Sequence, residues 1–62
     1  MKEGDYLTYM EHQYSLGVVV ALAQIPYKVK KDTLKNCFFI VNQNNQLIYL
    51  DKLSKKYKIR AI

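Results

Sequence analysis

Few side chains in this 62-residue sequence are suited to catalysis or to metal binding. The chain contains a single histidine, His12, and a single cysteine, Cys37. A nucleophilic catalyst needs a base beside it and a further group that orients the base, and zinc needs several protein ligands. His12 lies in a polar stretch and Cys37 begins an apolar run, so neither arrangement is indicated. We therefore predict no enzymatic activity, no metal site and no cofactor.

Lysines interleaved with aromatic residues indicate a different chemistry, that of nucleic-acid binding. Residues 28–62 carry nine basic and two acidic side chains, a net charge of +7, whereas residues 1–27 carry one basic and three acidic ones, a net charge of −2; the two sum to the +5 of the chain. Basic side chains hold phosphates, and aromatic faces support bases. The candidate nucleic-acid-binding residues are Tyr27, Lys28, Lys30, Lys31, Lys55, Lys56, Lys58 and Arg60.

The same charge has a plainer interpretation as a solvated, Lys-rich face, since small soluble domains commonly carry a net charge of this size. Only one of the ten basic residues is an arginine, the side chain that most often contacts base edges. Binding to nucleic acid, or to an acidic protein surface, is therefore expected to depend on salt more than on base sequence.

Tyrosine is abundant, with six residues in the chain, and it is enriched at protein interfaces because its ring is apolar and its hydroxyl polar. Tyr6, Tyr9 and Tyr14 lie in the acidic part of the chain, which disfavours phosphate as their partner. They form the candidate protein-binding surface of a competing hypothesis. In that hypothesis the chain is a small protein, of the kind that phages encode, that binds a host enzyme and inhibits or redirects it. Some of the tyrosines are expected to fill the core instead.

The elements that position these residues are predicted to be β-strands. Five stretches are rich in β-branched, aromatic or bulky apolar residues, or alternate between apolar and charged ones. These stretches are residues 6–10, 16–22, 37–41, 47–50 and 57–62. The Asn-rich residues 42–46 predict a hairpin, because asparagine tolerates the positive φ of tight turns. Asp51 is predicted to cap a short helical turn before the last strand.

Three further expectations concern the connections. Residues 11–15 are predicted to be a loop, and residues 27–35 a charged connection. Gly17 is predicted to bend the second strand from within. The rival prediction, a helix over residues 18–24 packed on a three-stranded sheet, is disfavoured by the three consecutive valines that begin it.

These elements predict an all-β fold, a small five-stranded barrel with one short helical turn before the last strand, forming a single domain over residues 1–62. Closing a barrel removes exposed strand edges, which would otherwise promote aggregation. A chain of this length has a thin core, and small domains often gain stability from a partner. Homo-oligomerisation would supply such a partner.

The order of short motifs resembles the SH3-like barrels of the KOW and Tudor type. The motifs are Gly4-Asp5, then Leu16-Gly17-Val18-Val19, and then Ile48-Tyr49-Leu50 followed by Leu53. In those barrels a Gly-Asp turn opens the first strand, and a short helical turn with a buried leucine precedes the last. The resemblance implies an SH3-like barrel, a fold whose members often recognise peptides through aromatic residues.

Localisation is predicted from three features. The longest apolar run, residues 16–23, is far shorter than the about 20 residues of a membrane helix, and residues 1–5 lack the apolar segment of a signal peptide. A lone cysteine is typical of the reducing cytoplasm. The excess of Lys, Asn, Ile and Tyr is typical of AT-rich bacterial and phage genes. We therefore expect a cytoplasmic bacterial or phage protein that has no membrane association.

Overall fold

Short β-strands dominate the chain. A computed structural model describes residues 1–61, in which eight strands and one 3₁₀ turn follow one another. They are β1 (Tyr6–Tyr9), β2 (Gln13–Ser15), β3 (Val18–Ala21), β4 (Pro26–Lys28), β5 (Lys30–Asp32), β6 (Cys37–Val41), β7 (Leu47–Tyr49), the 3₁₀ turn (Leu50–Lys52) and β8 (Tyr57–Arg60). The all-β class and the short helical turn before the last strand are confirmed. Asp51 lies inside this turn, whose N-cap is Tyr49 and has no side-chain hydrogen bond, so the prediction that Asp51 caps the turn is wrong. Within residues 1–61 no helix has the length and apolarity that crossing a membrane requires.

The strands pair antiparallel in three small sheets. β1 lies between β4 and β8, β6 lies between β5 and β7, and β2 pairs with β3. Val29 alone separates β4 from β5, so the chain passes directly from one three-stranded sheet to the other. The Val29 amide donates to the Asp5 carbonyl and the Val29 carbonyl accepts from the Gly4 amide, each at 2.8 Å. The backbone groups at this break therefore remain paired, as burial requires.

The five-stranded barrel is not confirmed, because the described residues form eight strands and none of their sheets closes on itself. Two predicted connections contain strands: β2 occupies residues 13–15, and β4 and β5 occupy most of the stretch from 26 to 32. β5 pairs with β6 in spite of its charge, and the Lys31 ammonium lies 5.7 Å from the centroid of the Phe38 ring. Cross-strand contacts of this kind outweigh the low strand propensity of lysine.

The turn between β2 and β3 consists of Leu16 and Gly17, with φ angles of 51° and 80°. Positive φ at both central residues is typical of the tightest hairpins, and glycine adopts it without strain. Gly17 therefore forms the tip of a hairpin, and the prediction that it bends a strand from within is wrong. The helix over residues 18–24 is also wrong, since Val18–Ala21 is a strand.

The hairpin predicted over the Asn-rich stretch is confirmed by the pairing of β6 with β7. Asn42 is buried and organises the turn. Its side-chain oxygen accepts from the amides of Asn44 and Gln46 at 3.0 and 2.8 Å, and its side-chain nitrogen donates to the Val20 carbonyl at 2.8 Å. One amide side chain therefore fixes this turn and joins it to β3.

Apolar side chains from all three sheets meet in a common core. Its buried members are Leu7, Tyr9, Ala21, Tyr27, Val29, Ile40 and Leu50, and Phe38, Ile48, Leu53 and Tyr57 pack against them. In β1, Leu7 and Tyr9 are fully buried, whereas Tyr6 and Thr8 retain exposed surface. This is the alternation that a strand produces, because successive side chains point to opposite faces. The outward side chains of the central strand β1 are therefore not part of the core.

Candidate nucleic-acid interface

The outer side of the sheet β4-β1-β8 brings cations to both sides of a tyrosine. Tyr6 on the central strand pairs with Lys28 of β4 and with Arg60 of β8. Residues paired across antiparallel strands point to the same face, with their Cβ atoms about 5 Å apart. Tyr6 is therefore flanked on the left and the right by a positive charge.

A second row crosses the same sheet next to the first. Thr8 pairs with Pro26 of β4 and with Lys58 of β8. The two rows together define what we call the β1 face, made of Tyr6, Thr8, Pro26, Lys28, Lys58 and Arg60. At its centre lie the aromatic ring of Tyr6 and the hydroxyl group of Thr8, and three of the four flanking residues are cationic.

A shallow depression lies at one end of the β1 face. Its volume is about 450 Å³, and it is lined by Tyr6, Pro26, Arg60 and Ala61. The Tyr6 side chain is 38% exposed. A tyrosine, a proline and an arginine thus border one open, largely apolar space.

The positive charge of the β1 face has no carboxylate beside it in the three strands. The two acidic residues that precede β1 bind backbone amides elsewhere: Asp5 accepts from Lys2 at 2.8 Å and Glu3 accepts from Lys31 at 3.3 Å. Among residues 1–61, the three cations of the β1 face make no side-chain hydrogen bond. Their charges are consequently available to an anion.

The chain was compared with known proteins at three levels. Protein-family models, curated proteins and solved structures gave no match. The chemistry of the β1 face follows from its own residues: cations that attract phosphate, a ring that stacks, and a hydroxyl group that donates and accepts hydrogen bonds.

The other basic residues predicted to bind nucleic acid lie outside the β1 face. Lys30 and Lys31 belong to β5, in the other three-stranded sheet. Lys55 and Lys56 are exposed in the segment between the 3₁₀ turn and β8. The fold therefore divides the predicted basic set, and it brings together Lys28, Lys58 and Arg60.

Tyr27, the aromatic member of the predicted nucleic-acid set, is unavailable to a base. Its side chain is 5% exposed and belongs to the core. The Tyr27 hydroxyl accepts from the Leu22 amide and donates to the side-chain oxygen of Gln43, both at 2.8 Å. Its neighbour Lys28 points outward because the strand alternates. The prediction of Tyr27 as a stacking residue is therefore wrong.

Tyr9 is likewise unavailable as a protein-binding residue. Its side chain is fully buried, its ring packs edge to face on Tyr57 with centroids 5.7 Å apart, and its hydroxyl has no hydrogen-bond partner among residues 1–61. Burial, with a smaller contribution from Tyr57, raises the pKa of Tyr9 to about 12. Tyr9 is a core residue.

Tyr6 and Tyr14 do not share a strand pair. Tyr6 belongs to the β1 face, whereas Tyr14 lies on β2, in the separate hairpin β2-β3. Near the tip of this hairpin, three apolar side chains are exposed to solvent: Tyr14 at 60%, Leu16 at 102% and Val18 at 63%. We call these three residues the hairpin tip. Tyr14 pairs with Val19 and Ser15 pairs with Val18, so Tyr14 and Val18 point to opposite faces of the hairpin. The hairpin tip is a second candidate site, of which Tyr14 was predicted from the sequence.

The surroundings of the single histidine and the single cysteine indicate structural roles. The His12 ring nitrogen Nδ1 accepts from the Ala23 amide at 2.8 Å, which joins the two ends of the hairpin segment. Cys37 is half-buried at the start of β6. Among residues 1–61, no group of three or more His, Cys, Asp or Glu side chains is arranged to hold a metal ion.

The outer side of the sheet β5-β6-β7 has a different character. Residues 37, 39 and 41 of β6 point away from the core with residues 47 and 49 of β7, and we call this surface the β6 face. The Tyr49 hydroxyl donates to Asp32 at 2.8 Å, and the Lys35 ammonium lies 4.8 Å from the centroid of the Tyr49 ring. The hydrogen bond from Tyr49, followed by one from the Lys35 amide, lowers the pKa of Asp32. Asp32 and Lys35 are therefore engaged within the chain, whereas Lys30, which pairs with Phe39 and points to the same face, makes no side-chain hydrogen bond among residues 1–61.

The arrangement of the β1 face was not predicted from the sequence. Thr8 and Pro26 were not selected, and Tyr6 was assigned to a protein-binding surface. The alternation of residues 6–9 is the signal that could have separated the outward Tyr6 from the inward Tyr9. The neighbours of Tyr6 come from distant parts of the sequence, and composition does not reveal them.

Proposed function

We propose that this chain is a non-enzymatic module that binds nucleic acid, or a complex containing nucleic acid, through the β1 face. The observation that carries the proposal is the register of β1, which sets Tyr6 between Lys28 and Arg60. A tyrosine between two cations matches a polymer that alternates anionic phosphates with aromatic bases. Lys58, in the neighbouring row, extends the positive surface along β8.

An edge-protection role would account for part of this surface only. Charged side chains on an edge strand prevent pairing with other chains, and β8 is an edge strand. That role explains Lys58 and Arg60. It does not explain a partly exposed tyrosine on the central strand β1, where a small polar residue would serve solvation better. Tyr6 is the residue that favours a ligand.

The number of cations on the β1 face predicts how steeply affinity falls as the salt concentration rises. Each phosphate contact releases counterions, so that binding weakens as salt rises. Three cationic contacts predict a loss of roughly 20-fold in affinity for a single strand between ~50 and ~200 mM salt. With a single arginine on the face, little base specificity is expected.

The test compares two variants that lower the net charge equally. Lys28→Gln with Arg60→Gln removes two cations of the β1 face, and Lys2→Gln with Lys52→Gln removes two exposed cations elsewhere. Binding to labelled oligonucleotides is measured by fluorescence anisotropy across the salt range. We expect the first variant to lose affinity and to lower the slope of log K against log salt by about one for each cation. Equal losses in both variants would mean that only net charge matters and would overturn the proposal.

We further propose that the three sheets together form an SH3-like barrel of the KOW or Tudor type. Three features support this: β8 pairs with β1, the β4-β5 segment contributes to both three-stranded sheets, and the 3₁₀ turn precedes β8. Closure at the β4-β5 break would protect the Val29 amide from hydrogen exchange as strongly as the amide of Leu7. Fast exchange at Val29 would contradict a closed barrel.

A cytoplasmic location accompanies the proposal. Cys37 is a free thiol, which suits a reducing compartment. In bacteria, including those infected by phage, nucleic acid lies in the cytoplasm.

A second candidate function is the binding of a host protein through the hairpin tip. The observation that favours it is Leu16, fully exposed at φ 51° at the end of the hairpin, with Tyr14 exposed on one face of the hairpin and Val18 on the other. Exposed apolar patches mark interaction sites more often than chance. This function predicts a one-to-one complex that withstands high salt and is lost in Leu16→Asn with Val18→Thr. Persistence of the complex in that variant would remove the hairpin tip from consideration.

A further inference from the structure

We infer that the β1 face binds single-stranded nucleic acid and stacks one unpaired base on Tyr6, at the depression that Tyr6 shares with Arg60. This inference rests on the function proposed above and names its ligand class. It combines three observations: the register of the sheet, the size of the depression and the width of the face.

The register makes Tyr6 the aromatic centre of the face. Among the six residues of the β1 face it is the single aromatic one, and a cation flanks it on each side. A base that stacks on the ring would have its flanking phosphates next to Lys28 and Arg60. Stacking on an aromatic residue tolerates any base, because every base has a π face.

The depression suits one planar group. Its volume of about 450 Å³ lies within the ~300–1,000 Å³ of small-ligand sites, which accommodates a base. Two of its lining residues, Tyr6 and Arg60, carry planar groups that stack on bases. Pro26 and Ala61 supply the remaining apolar surface.

The width of the face disfavours a duplex. Adjacent strands lie about 4.8 Å apart, so the outer strands of this three-stranded sheet are ~10 Å apart before their side chains are counted. The major groove of DNA is ~12 Å wide and admits a helix or a two-stranded ribbon. A three-stranded face is therefore wider than the ribbon that an undistorted major groove admits, and a regular duplex fits it poorly. The faces of duplex bases are also covered by their neighbours, whereas an unpaired base can lay its face on Tyr6.

The experiment measures anisotropy with labelled ligands at ~50 mM salt. The ligands are a deoxythymidine oligomer, a uridine oligomer, a mixed-sequence DNA duplex and an abasic deoxyribose-phosphate oligomer, all of one length. The proteins are the full chain, Tyr6→Leu, Tyr6→Phe, the control Tyr14→Leu, and Lys28→Gln with Arg60→Gln. Circular dichroism confirms that each variant is folded.

We expect one or both single strands to bind at least tenfold more tightly than the duplex and the abasic oligomer. Tyr6→Leu should weaken single-strand binding roughly 5- to 150-fold, the range reported by removing one stacking residue. Its salt slope should stay the same, because the ring carries no charge, whereas Lys28→Gln with Arg60→Gln should lower the slope. Tyr6→Phe keeps the ring and should retain more affinity than Tyr6→Leu, and the control Tyr14→Leu should bind as the unaltered chain does.

The possible failures differ from one another. If the duplex or the abasic oligomer binds as tightly as the single strands, or if Tyr6→Leu has no effect, base stacking is wrong. Nucleic-acid binding would then still stand where the loss of Lys28 and Arg60 weakens it. No binding of any ligand at ~50 mM salt would overturn both the inference and the proposed function. The abasic oligomer keeps the inference testable should Tyr6→Leu fail to fold.

Discussion

The outer faces of the two three-stranded sheets place an aromatic residue and its neighbouring charges in different surroundings. On the β1 face, three cations surround an aromatic residue and make no side-chain hydrogen bond among residues 1–61. On the β6 face, Lys35 lies over the ring of Tyr49, whose hydroxyl binds Asp32. A cation that already contacts a ring within its own chain contributes less to an external ligand. The difference teaches that the positions of the lysines, more than their number, decide where an anion can bind.

Reversing one charge on each face tests this comparison most directly. Arg60→Glu should weaken nucleic-acid binding on the order of 100-fold at low salt, because juxtaposed like charges cost several kcal/mol. Lys35→Glu changes the net charge equally and should weaken binding less than about threefold, since Lys35 does not belong to the β1 face. Anisotropy titrations measure both. Equal effects would mean that the two faces do not differ in function.

Removing the side chain that organises the turn between β6 and β7 should lower stability but leave binding intact. Asn42→Ala removes hydrogen bonds to the Val20 carbonyl and to the amides of Asn44 and Gln46. We expect the free energy of unfolding to fall by about 1–3 kcal/mol, because buried polar groups lose their partners. Gln43→Ala does not serve as the control, since Gln43 accepts from Tyr27; the exposed Asn36→Gly, at φ 52°, does.

The measurement is urea denaturation, followed by anisotropy under conditions where the variant is folded. Unchanged stability in Asn42→Ala would show that the Asn42 side chain does not stabilise the turn between β6 and β7. Loss of affinity in the folded variant would show that the two faces are coupled.

The core between the faces contains a tyrosine whose hydroxyl is unpaired. Tyr49 on the β6 face binds Asp32, whereas the Tyr9 hydroxyl is buried without a partner among residues 1–61. Tyr9→Phe should therefore raise the free energy of unfolding by about 1 kcal/mol at neutral pH, because the desolvation cost of the hydroxyl disappears. Tyr6→Phe, on the exposed side of the same strand, should leave stability unchanged.

The pH dependence follows from the raised pKa of Tyr9, about 12. A raised pKa in the folded state means that folding favours the neutral phenol, so this contribution is complete below pH ~10, the pKa of free tyrosine, and is lost as pH rises towards 12. Tyr9→Phe should lessen the loss of stability in this range. An ultraviolet titration of the tyrosines checks it, and full ionisation near pH 10 without unfolding would contradict the burial of Tyr9.

The contrast between Tyr9 and Tyr6 also explains how far sequence reasoning reached. Local patterns were sufficient where the physics is local: apolar runs predicted the strands β1, β6 and β7, and the asparagines predicted the turn between the last two. The turn Leu16-Gly17 was misplaced because its neighbour β2 is short and polar and is stabilised by pairing with β3. Intrinsic strand propensity does not include the stabilisation that a strand gains by pairing with its neighbour.

The candidate site depends on pairing between distant segments. Because the first part of the chain is acidic and the second part is basic, Tyr6 was predicted to lie on a surface that does not bind phosphate. The fold inserts β1, from the acidic part, between β4 and β8, from the basic part or its border. Charge per segment therefore did not predict charge per surface. Tyr27 was selected for its basic neighbours, although alternation in β4 turns its ring inward while Lys28 points outward.

The smallest expected effect concerns Asp32 on the β6 face. Hydrogen bonds from the Tyr49 hydroxyl and the Lys35 and Leu34 amides lower the pKa of the Asp32 carboxyl. A lowered pKa in the folded state means that the carboxylate contributes to stability above the ordinary pKa of aspartate. That contribution is lost as pH falls through the lowered value. Because Asp32 is solvated, solvent screens the effect and the change in stability is expected to be small.

Tyr49→Phe isolates this contribution, since it removes the hydroxyl and keeps the ring beside Phe39, 6.0 Å away between centroids. The pKa of Asp32 should rise towards its usual range, as followed by the chemical shift of its side-chain carbonyl. Thr33→Val, in the same turn, is the control and should leave the pKa of Asp32 where it is. Nucleic-acid affinity should not change, because the hydroxyl of Tyr49 acts within the β6 face. An unaltered pKa in Tyr49→Phe would mean that the backbone amides alone hold the carboxylate. A change in affinity would mean that the β6 face contributes to the ligand site, and the contrast between the two faces would then have to be abandoned.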